Sequence, residues 1–143
     1  MIRRDARPRI RNQRDLDWTW RDWLRRLDRP PAGTTCLFVF VDGRATRRAV
    51  TFTDLDGPLD DLQVCRLARW IRGVLEDTDG WRVAFLMSRS GDEAVDERDQ
   101  DWATSLHAAA RRAAVACEVV HLGVGAEVRP LPLDALPARA FDI

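Results

Sequence analysis

The sequence predicts a single α/β domain in which helices flank a mixed β-sheet. Continuous apolar runs at residues 36–41 and 83–87 are typical of strands buried on both faces. Amphipathic stretches at residues 59–77 and 97–115 have the spacing of helices and alternate with these runs. With 143 residues, 45% of them hydrophobic, the chain is long enough to enclose one core of ordinary size. Strands that alternate with helices indicate the α/β class.

The N-terminal part of the chain differs from the rest in charge. Residues 1–30 carry ten Arg and five Asp, although the net charge of the whole chain is zero. Residues 1–14 contain Pro8 and show no hydrophobic periodicity, so we expect a flexible Arg-rich arm ahead of a domain at residues 15–143. Such an arm makes nucleic-acid binding an alternative function. All 23 basic residues are Arg, however, and a GC-rich coding bias explains the arm equally well.

A helix is predicted from Asp15 to the pair Pro30-Pro31, which stops it. The apolar side chains at the spacing i, i+4, i+7, i+8 and i+11 are Leu16, Trp20, Trp23, Leu24 and Leu27. This stripe packs either on its own domain or on a protein partner or second copy of the chain. In the second case Trp20 and Trp23 are the candidate interface anchors.

The next elements form a hairpin and a helical connection. Asp42-Gly43 predicts a turn between strand 36–41 and a second strand near residues 48–53. Helix 59–77 then leads to the strand that begins after Gly80. Because a helix connects the second and third strands, we expect a right-handed crossover that pairs them in parallel.

The first candidate for a functional site is the stretch WRVAFLMSRSGDEAVDERDQDW at residues 81–102. Its apolar strand breaks at residues 88–91 and crosses an acidic loop into helix 97–115. Ligands of α/β proteins usually bind beyond the carboxyl ends of strands, where this loop lies. Residues 117–124 and 127–131 complete the pattern as a hairpin or two edge strands.

The element order and this loop resemble the RadC-like branch of the JAB/MPN (JAMM) family. RadC-like chains carry H-x-H-P-S-G-D at the end of a strand, then S-x-x-D and a helix. This chain reads LMSRSGD at residues 86–92 and DERD at residues 96–99. The resemblance covers roughly residues 36–136, and its anchors are Ser90-Gly91-Asp92, Asp99 and the element order. It implies a cytidine-deaminase-like, three-layer architecture.

The departures from the family pattern concern its chemistry. A JAMM site binds zinc through two His and one Asp, and an upstream Glu deprotonates the metal-bound water. The His positions match Leu86 and Ser88, and the Glu position falls near Thr51. Only Asp99 has a counterpart, whereas His107 and His121 match neither ligand position.

The resemblance therefore implies a pseudoenzyme that acts in protein–protein interaction or scaffolding. We expect no metal, no cofactor and no catalytic residue. The degenerate site region consists of Leu86, Ser88, Ser90, Asp96 and Asp99.

The acidic loop offers an enzymatic alternative, a hydrolase that depends on Mg²⁺ or another divalent cation. Six carboxylates fall within ten residues, namely Asp92, Glu93, Asp96, Glu97, Asp99 and Asp101. The spacing does not match an EF-hand. Asp96 followed by Asp99 instead predicts a helix-capping arrangement.

Cysteine usage and hydropathy indicate the compartment. Cys36, Cys65 and Cys117 are odd in number and lie in apolar patterns, which favours reduced thiols over disulfides or a zinc site. No apolar stretch reaches the roughly 18 residues of a membrane helix, and the N-terminus lacks the apolar core of a signal peptide. We therefore expect a cytoplasmic protein.

Overall fold

Three helices and six strands make up the part of the chain that the computed structural model describes, residues 9–27, 31–40, 42–46, 49–75 and 81–132. In chain order they are α1 (Gln13–Arg25), β1 (Gly33–Phe40), β2 (Val50–Phe52), α2 (Asp61–Val74), β3 (Trp81–Arg89), α3 (Glu97–Arg112), β4 (Ala116–Cys117), β5 (Val120–Val124) and β6 (Glu127–Leu131). The predicted α/β class with a mixed sheet is confirmed.

The strands form one sheet in the order β2-β1-β3-β5-β6, and the short β4 also pairs with β3. β1 is antiparallel to both β2 and β3, β3 is parallel to β4 and β5, and β5 is antiparallel to β6. The two long apolar strands β1 and β3 are neighbours over their whole length, from Gly33 opposite Ser88 to Phe40 opposite Trp81. The strand that ends in the acidic loop therefore lies at the centre of the sheet.

The predicted pairing of the second and third strands is wrong. α2 connects β2 to β3, and the two strands run in the same direction, but β1 lies between them. β2 has only three residues, whereas β1 offers β3 a ladder of eight, so β1 takes the place beside β3. The parallel strands that pair directly are β3 and β5, and α3 connects them.

Helices cover both faces of the sheet. On one face α1 packs through Leu16, Trp20 and Leu24, and the buried strand residues beneath it are Leu37, Val39, Ala84, Leu86 and Val128. On the other face α2 and α3 enclose the larger apolar cluster, which contains Phe85, Met87 and Trp102. At about 25 cal/mol per Å² of buried apolar surface, these two clusters supply the main driving force for folding.

The folded domain begins before residue 15, so the predicted arm is too long. Ile10 is 1% exposed, and its backbone N–H donates to the Gly43 carbonyl at 2.6 Å. Asn12 caps α1 by accepting the Asp15 N–H at 2.9 Å. Residues 9–14 of the predicted arm are therefore part of the domain, and residues 1–8 lie outside the described residues. The sequence gives little sign of this, because Ile10 is a lone apolar residue whose partner is a distant turn.

The predicted hairpin turn at Asp42-Gly43 is confirmed. Gly43 has a φ of +93°, which favours glycine, and the Phe40 N–H donates to the Arg44 carbonyl at 2.7 Å. The three cysteines are free thiols, with Cys36 buried and the other two half-buried. None of the helices in the described ranges has both the length and the apolar character needed to cross a membrane. Residues 133–143 lie outside the described residues.

Candidate functional site at the carboxyl end of β3

Alternation along β3 sends its side chains to opposite faces of the sheet. Leu86 is fully buried in the cluster beneath α1, and Met87 belongs to the cluster beneath α2 and α3. Ser88, which is 6% exposed, comes two residues after Leu86 and is on the same face of the sheet as Leu86. Arg89 comes two residues after Met87 and is on the same face as Met87. The last residue of β3 is therefore on the side of the sheet that α3 covers.

The Arg89 guanidinium donates all five of its N–H groups. Nε donates to Asp99 Oδ1 and Nη2 to Asp99 Oδ2, both at 2.7 Å. The remaining donors bind loop carbonyls: Nη1 binds those of Ser90 at 3.0 Å and Asp92 at 2.7 Å, and Nη2 binds that of Ala94 at 3.0 Å. Since a guanidinium has five donors, no donor of Arg89 is left for a ligand.

Asp99 is equally occupied. Besides Arg89, its Oδ2 accepts the backbone N–H of Asp96 at 3.1 Å, and Asp96 Oδ1 accepts the Asp99 N–H at 2.8 Å. This reciprocal pair is a capping box at the start of α3, with Asp96 as the N-cap and Asp99 at N3. The capping arrangement that the sequence predicts for Asp96 and Asp99 is therefore present.

The ion pair between Arg89 and Asp99 is held in its charged form. Burial raises the pKa of Asp99, but the hydrogen bonds from Arg89 and from the Asp96 backbone outweigh burial and keep that pKa below its usual range. The hydrogen bond to Asp99 in turn raises the pKa of Arg89. The side chains are 15% and 2% exposed, so the pair is shielded from solvent. Chemically, this arrangement joins loop 90–96 to the first turn of α3.

The structure brings only part of the predicted site region together. Asp96 and Asp99 meet at the start of α3, and Ser90 is an exposed loop residue whose carbonyl binds Arg89. Leu86 lies on the opposite face of the sheet. The sequence analysis missed Arg89, which occupies the Pro position of the family motif. An Arg ten residues before an Asp is a weak signal, because only the loop conformation brings the two together.

The other loop carboxylates do not converge on one point. Asp92 Oδ1 accepts the Ala94 N–H at 2.9 Å, an interaction that shapes the loop. Glu93 and Glu97 are exposed. In the described ranges, no three His, Cys, Asp or Glu side chains are grouped as a metal site requires.

Both histidines lie away from this loop. His107 in α3 is 7% exposed, and burial together with Arg111 lowers its pKa to about 4. His121 in β5 is fully buried, and its Nδ1 lies 3.0 Å from the Val119 carbonyl oxygen. Because a carbonyl only accepts, Nδ1 carries the proton, and burial lowers the pKa of the ring. The five hydrogen bonds that Arg89 donates go to Asp99 and to loop carbonyls, so neither histidine accepts a hydrogen bond from Arg89.

The two tryptophans considered as interface anchors lie at the inner side of α1. Trp20 is 1% exposed and belongs to the core, and Trp23 is half-buried against the same cluster. The tryptophan of α1 that faces solvent is Trp18, with 58% of its surface exposed. Trp20 is therefore not available to a partner in the folded chain.

The fold and this site define the class of protein, a small α/β domain with a mixed six-stranded sheet. Comparisons of the chain with family models, with curated proteins and with solved structures found no match.

Proposed function

We propose that this protein is a non-catalytic relative of the RadC-like JAB/MPN domains and acts by binding a protein partner. The observation that carries the proposal is the Arg89–Asp99 pair. The one carboxylate that corresponds to a family zinc ligand accepts three N–H donors and has a structural role. From β1 to α3 the element order is the one on which the resemblance rests, whereas β4 and β5 occupy the place of the single strand predicted at residues 117–124.

The two faces of β3 further support a non-catalytic role. A zinc hydrolase needs three protein ligands that converge on one point and leave a position for water. The positions that match the family histidines, Leu86 and Ser88, share the α1 side of the strand, whereas Asp99 is held by Arg89 on the α3 side. Three side chains on two sides of a sheet do not form such a site, so the end of β3 also departs in geometry from the family site that the resemblance implies.

The edge strand β2 and the adjoining α2 support a role in protein binding. Among the described strands β2 pairs only with β1, so no described strand covers its outer edge. Val50 on this strand is 38% exposed, and Leu62 and Val74 on α2 are 57% and 48% exposed. A second copy of the chain is the first partner to test, by light scattering after size exclusion at about 50 μM, where a dimer with micromolar affinity is populated. A monomer at that concentration removes the homodimer.

A metal titration tests whether the site is non-catalytic. We expect the melting temperature of the wild type to stay unchanged with 1 mM Zn²⁺, Mg²⁺ or Mn²⁺. A site with a Kd near 10 μM would instead stabilise the fold by about 2.7 kcal/mol at 100-fold excess of metal. Asp99→Asn is expected to lower the melting temperature equally with and without metal.

The matched control for Asp99→Asn is Glu93→Gln, which removes an exposed carboxylate from the same loop. We expect it to leave stability unchanged. If a metal stabilises the wild type and Asp99→Asn abolishes that effect, the non-catalytic proposal is wrong. The metal-dependent hydrolase that uses residues 92–101 then takes its place.

A further inference from the structure

The solvent-facing side of α1 combines one tryptophan with several arginines. Arg14, Trp18, Arg21 and Arg25 follow one another at i, i+4, i+7 and i+11, which places them on one side of the helix. We call this set the Trp18 face. It lies opposite Leu16, Trp20 and Leu24, which pack on the sheet. Trp18 is 58% exposed, so its ring is accessible from solvent.

Each carboxylate of α1 pairs with an arginine four residues away, and Arg21 is the one member of the Trp18 face among these arginines. Asp15 pairs with Arg11, Asp17 with Arg21 and Asp22 with Arg26, each at the spacing i, i+4. Arg14 and Arg25 are exposed and form no ion pair within the part of the chain that is described. Within the described residues, the Trp18 face therefore carries two arginines outside the ion pairs, one on each side of an exposed indole. Besides the hydrogen bond from the Arg11 backbone, Arg14 also helps to lower the pKa of the neighbouring Asp15.

The dimensions and the surroundings of this face limit its partner. Eleven residues at 1.5 Å each separate Arg14 from Arg25 by about 16 Å along the helix. Arg9 is exposed beside the start of α1, and Arg3, Arg4 and Arg7 precede it in the sequence. A single exposed ring is too little apolar surface for a membrane. An acidic peptide would form ion pairs with the arginines, but its carboxylates would make no use of the exposed Trp18 ring.

We propose that the Trp18 face binds single-stranded nucleic acid. Trp18 stacks on a base, and Arg14 and Arg25 neutralise phosphates on either side of it. An aromatic platform flanked by cations is the general device for sequence-tolerant binding of single strands. The inference goes beyond the proposed protein-binding role, because it assigns a second and chemically different partner to α1. Its tests change only α1, so they fail or succeed separately from the tests at Asp99.

The test is fluorescence anisotropy of the full chain with a labelled oligodeoxythymidine and an RNA of the same length. Base stacking is worth 1–3 kcal/mol per base, so Trp18→Ala is expected to raise Kd by about 5- to 150-fold. Trp18→Phe keeps a stacking ring and is expected to recover most of the affinity. Arg14→Ala with Arg25→Ala is expected to reduce the slope of log K against log salt by about 1.4, or 0.7 for each lost phosphate contact.

Two controls match these variants. Arg66→Ala with Arg112→Ala removes the same charge from exposed positions on α2 and α3, and is expected to leave the salt slope nearly unchanged. Leu62→Ala removes an exposed apolar side chain from α2 and is expected to leave Kd unchanged. All these side chains are exposed, so melting temperatures near that of the wild type verify that each variant is folded.

Four outcomes overturn the inference. The first is no saturable binding at about 50 mM salt, where phosphate contacts are strongest. The second is an equal change of the salt slope in the two double-Arg variants, which indicates attraction to the overall charge. The third is polyglutamate displacing the oligonucleotide as well as unlabelled oligonucleotide does, which assigns the face to an acidic protein. The fourth is Trp18→Ala binding like the wild type, which shows that the ring does not stack on a base.

Discussion

Arg89 shows how a single side chain turns the end of a strand into a fixed structure. It is the last residue of β3, and its guanidinium binds one carboxylate and three loop carbonyls. A buried charge is tolerated when it is paired and fully hydrogen-bonded, and both conditions hold for Arg89 and Asp99. The loop that follows β3 is consequently held in place by hydrogen bonds from Arg89 to its carbonyl groups.

At the residue scale, Arg89→Ala is expected to lower the free energy of unfolding by about 3–5 kcal/mol. The substitution leaves the carboxylate of Asp99 buried without its partner, and removing one member of a buried pair costs this much. Urea denaturation followed by circular dichroism measures the loss. Arg26→Ala breaks an i, i+4 pair whose Arg side chain is 73% exposed, so its cost is expected to stay below about 1 kcal/mol. Equal losses for the two variants would contradict the structural role of Arg89.

At the scale of elements, the contact between the β1 and β2 backbones determines whether a residue can carry a side chain. Gly33 begins β1 with a φ of +144°, and a Cβ placed there would lie 2.4 Å from the Phe52 carbonyl oxygen of β2. Gly73 lies in α2, and a Cβ there would meet no atom within 4 Å. The two glycines therefore have opposite structural roles, one required by the sheet edge and one dispensable in a helix.

This difference predicts opposite effects of the same substitution. Gly33→Ala is expected to destabilise the protein by more than about 2 kcal/mol, because both the backbone angle and the carbonyl of Phe52 oppose a side chain. Gly73→Ala is expected to stabilise it by about 0.5–1 kcal/mol, since alanine is the better helix former. The midpoints of urea unfolding compare the two. A stabilising Gly33→Ala would mean that β2 does not pair with β1 as described.

Over the whole molecule, the buried histidines make stability depend on pH. In the folded chain the pKa of His107 is lowered to about 4 and that of His121 is also lowered, chiefly by burial in both cases. The unfolded chain binds a proton at each ring near pH 6.5. Between pH 4 and pH 6.5 the unfolded chain therefore binds more protons than the folded chain. The stability associated with the neutral His107 ring is fully present above pH 6.5 and is lost as the pH falls towards 4.

We expect the free energy of unfolding to fall by up to about 1.4 kcal/mol per pH unit over this interval because of His107, and His121 adds to the loss in the same direction. Asp99, whose folded pKa is also lowered, contributes stability that is lost only at more acidic pH, as the pH falls through that pKa. Urea unfolding at pH 7.5, 6 and 5 measures the slope. His107→Gln is expected to flatten it, and a wild type equally stable at all three values would contradict the prediction.

The net charge of the whole molecule is zero, but basic and acidic side chains are concentrated on different parts of its surface. The exposed Arg14 and Arg25 lie on α1, and the exposed Asp92, Glu93 and Glu97 lie between the end of β3 and the start of α3. A net charge of zero therefore hides a basic surface, and composition alone gives no indication of it.

What the sequence determined by itself is local. The apolar runs of β1 and β3, the periodicity of α2 and α3, the Asp42-Gly43 turn and the capping of α3 by Asp96 all depend on residues close together in the chain. For the same reason the α/β class with a mixed sheet was predictable. The docking of Ile10 on the hairpin was not, because one apolar residue carries no periodic signal.

Only the tertiary structure decided which strands are neighbours and what the candidate site holds. The sequences of β1 and β2 are both typical of strands. β1 pairs with β3 because it offers a ladder of eight residues, whereas β2 has only three residues. Sequence alone placed Leu86, Ser88 and Asp99 in one motif, whereas the pleat of β3 puts Leu86 on the opposite face from Asp99. The five hydrogen bonds of Arg89 follow from the path of the loop, which long-range packing sets and which residue spacing does not encode.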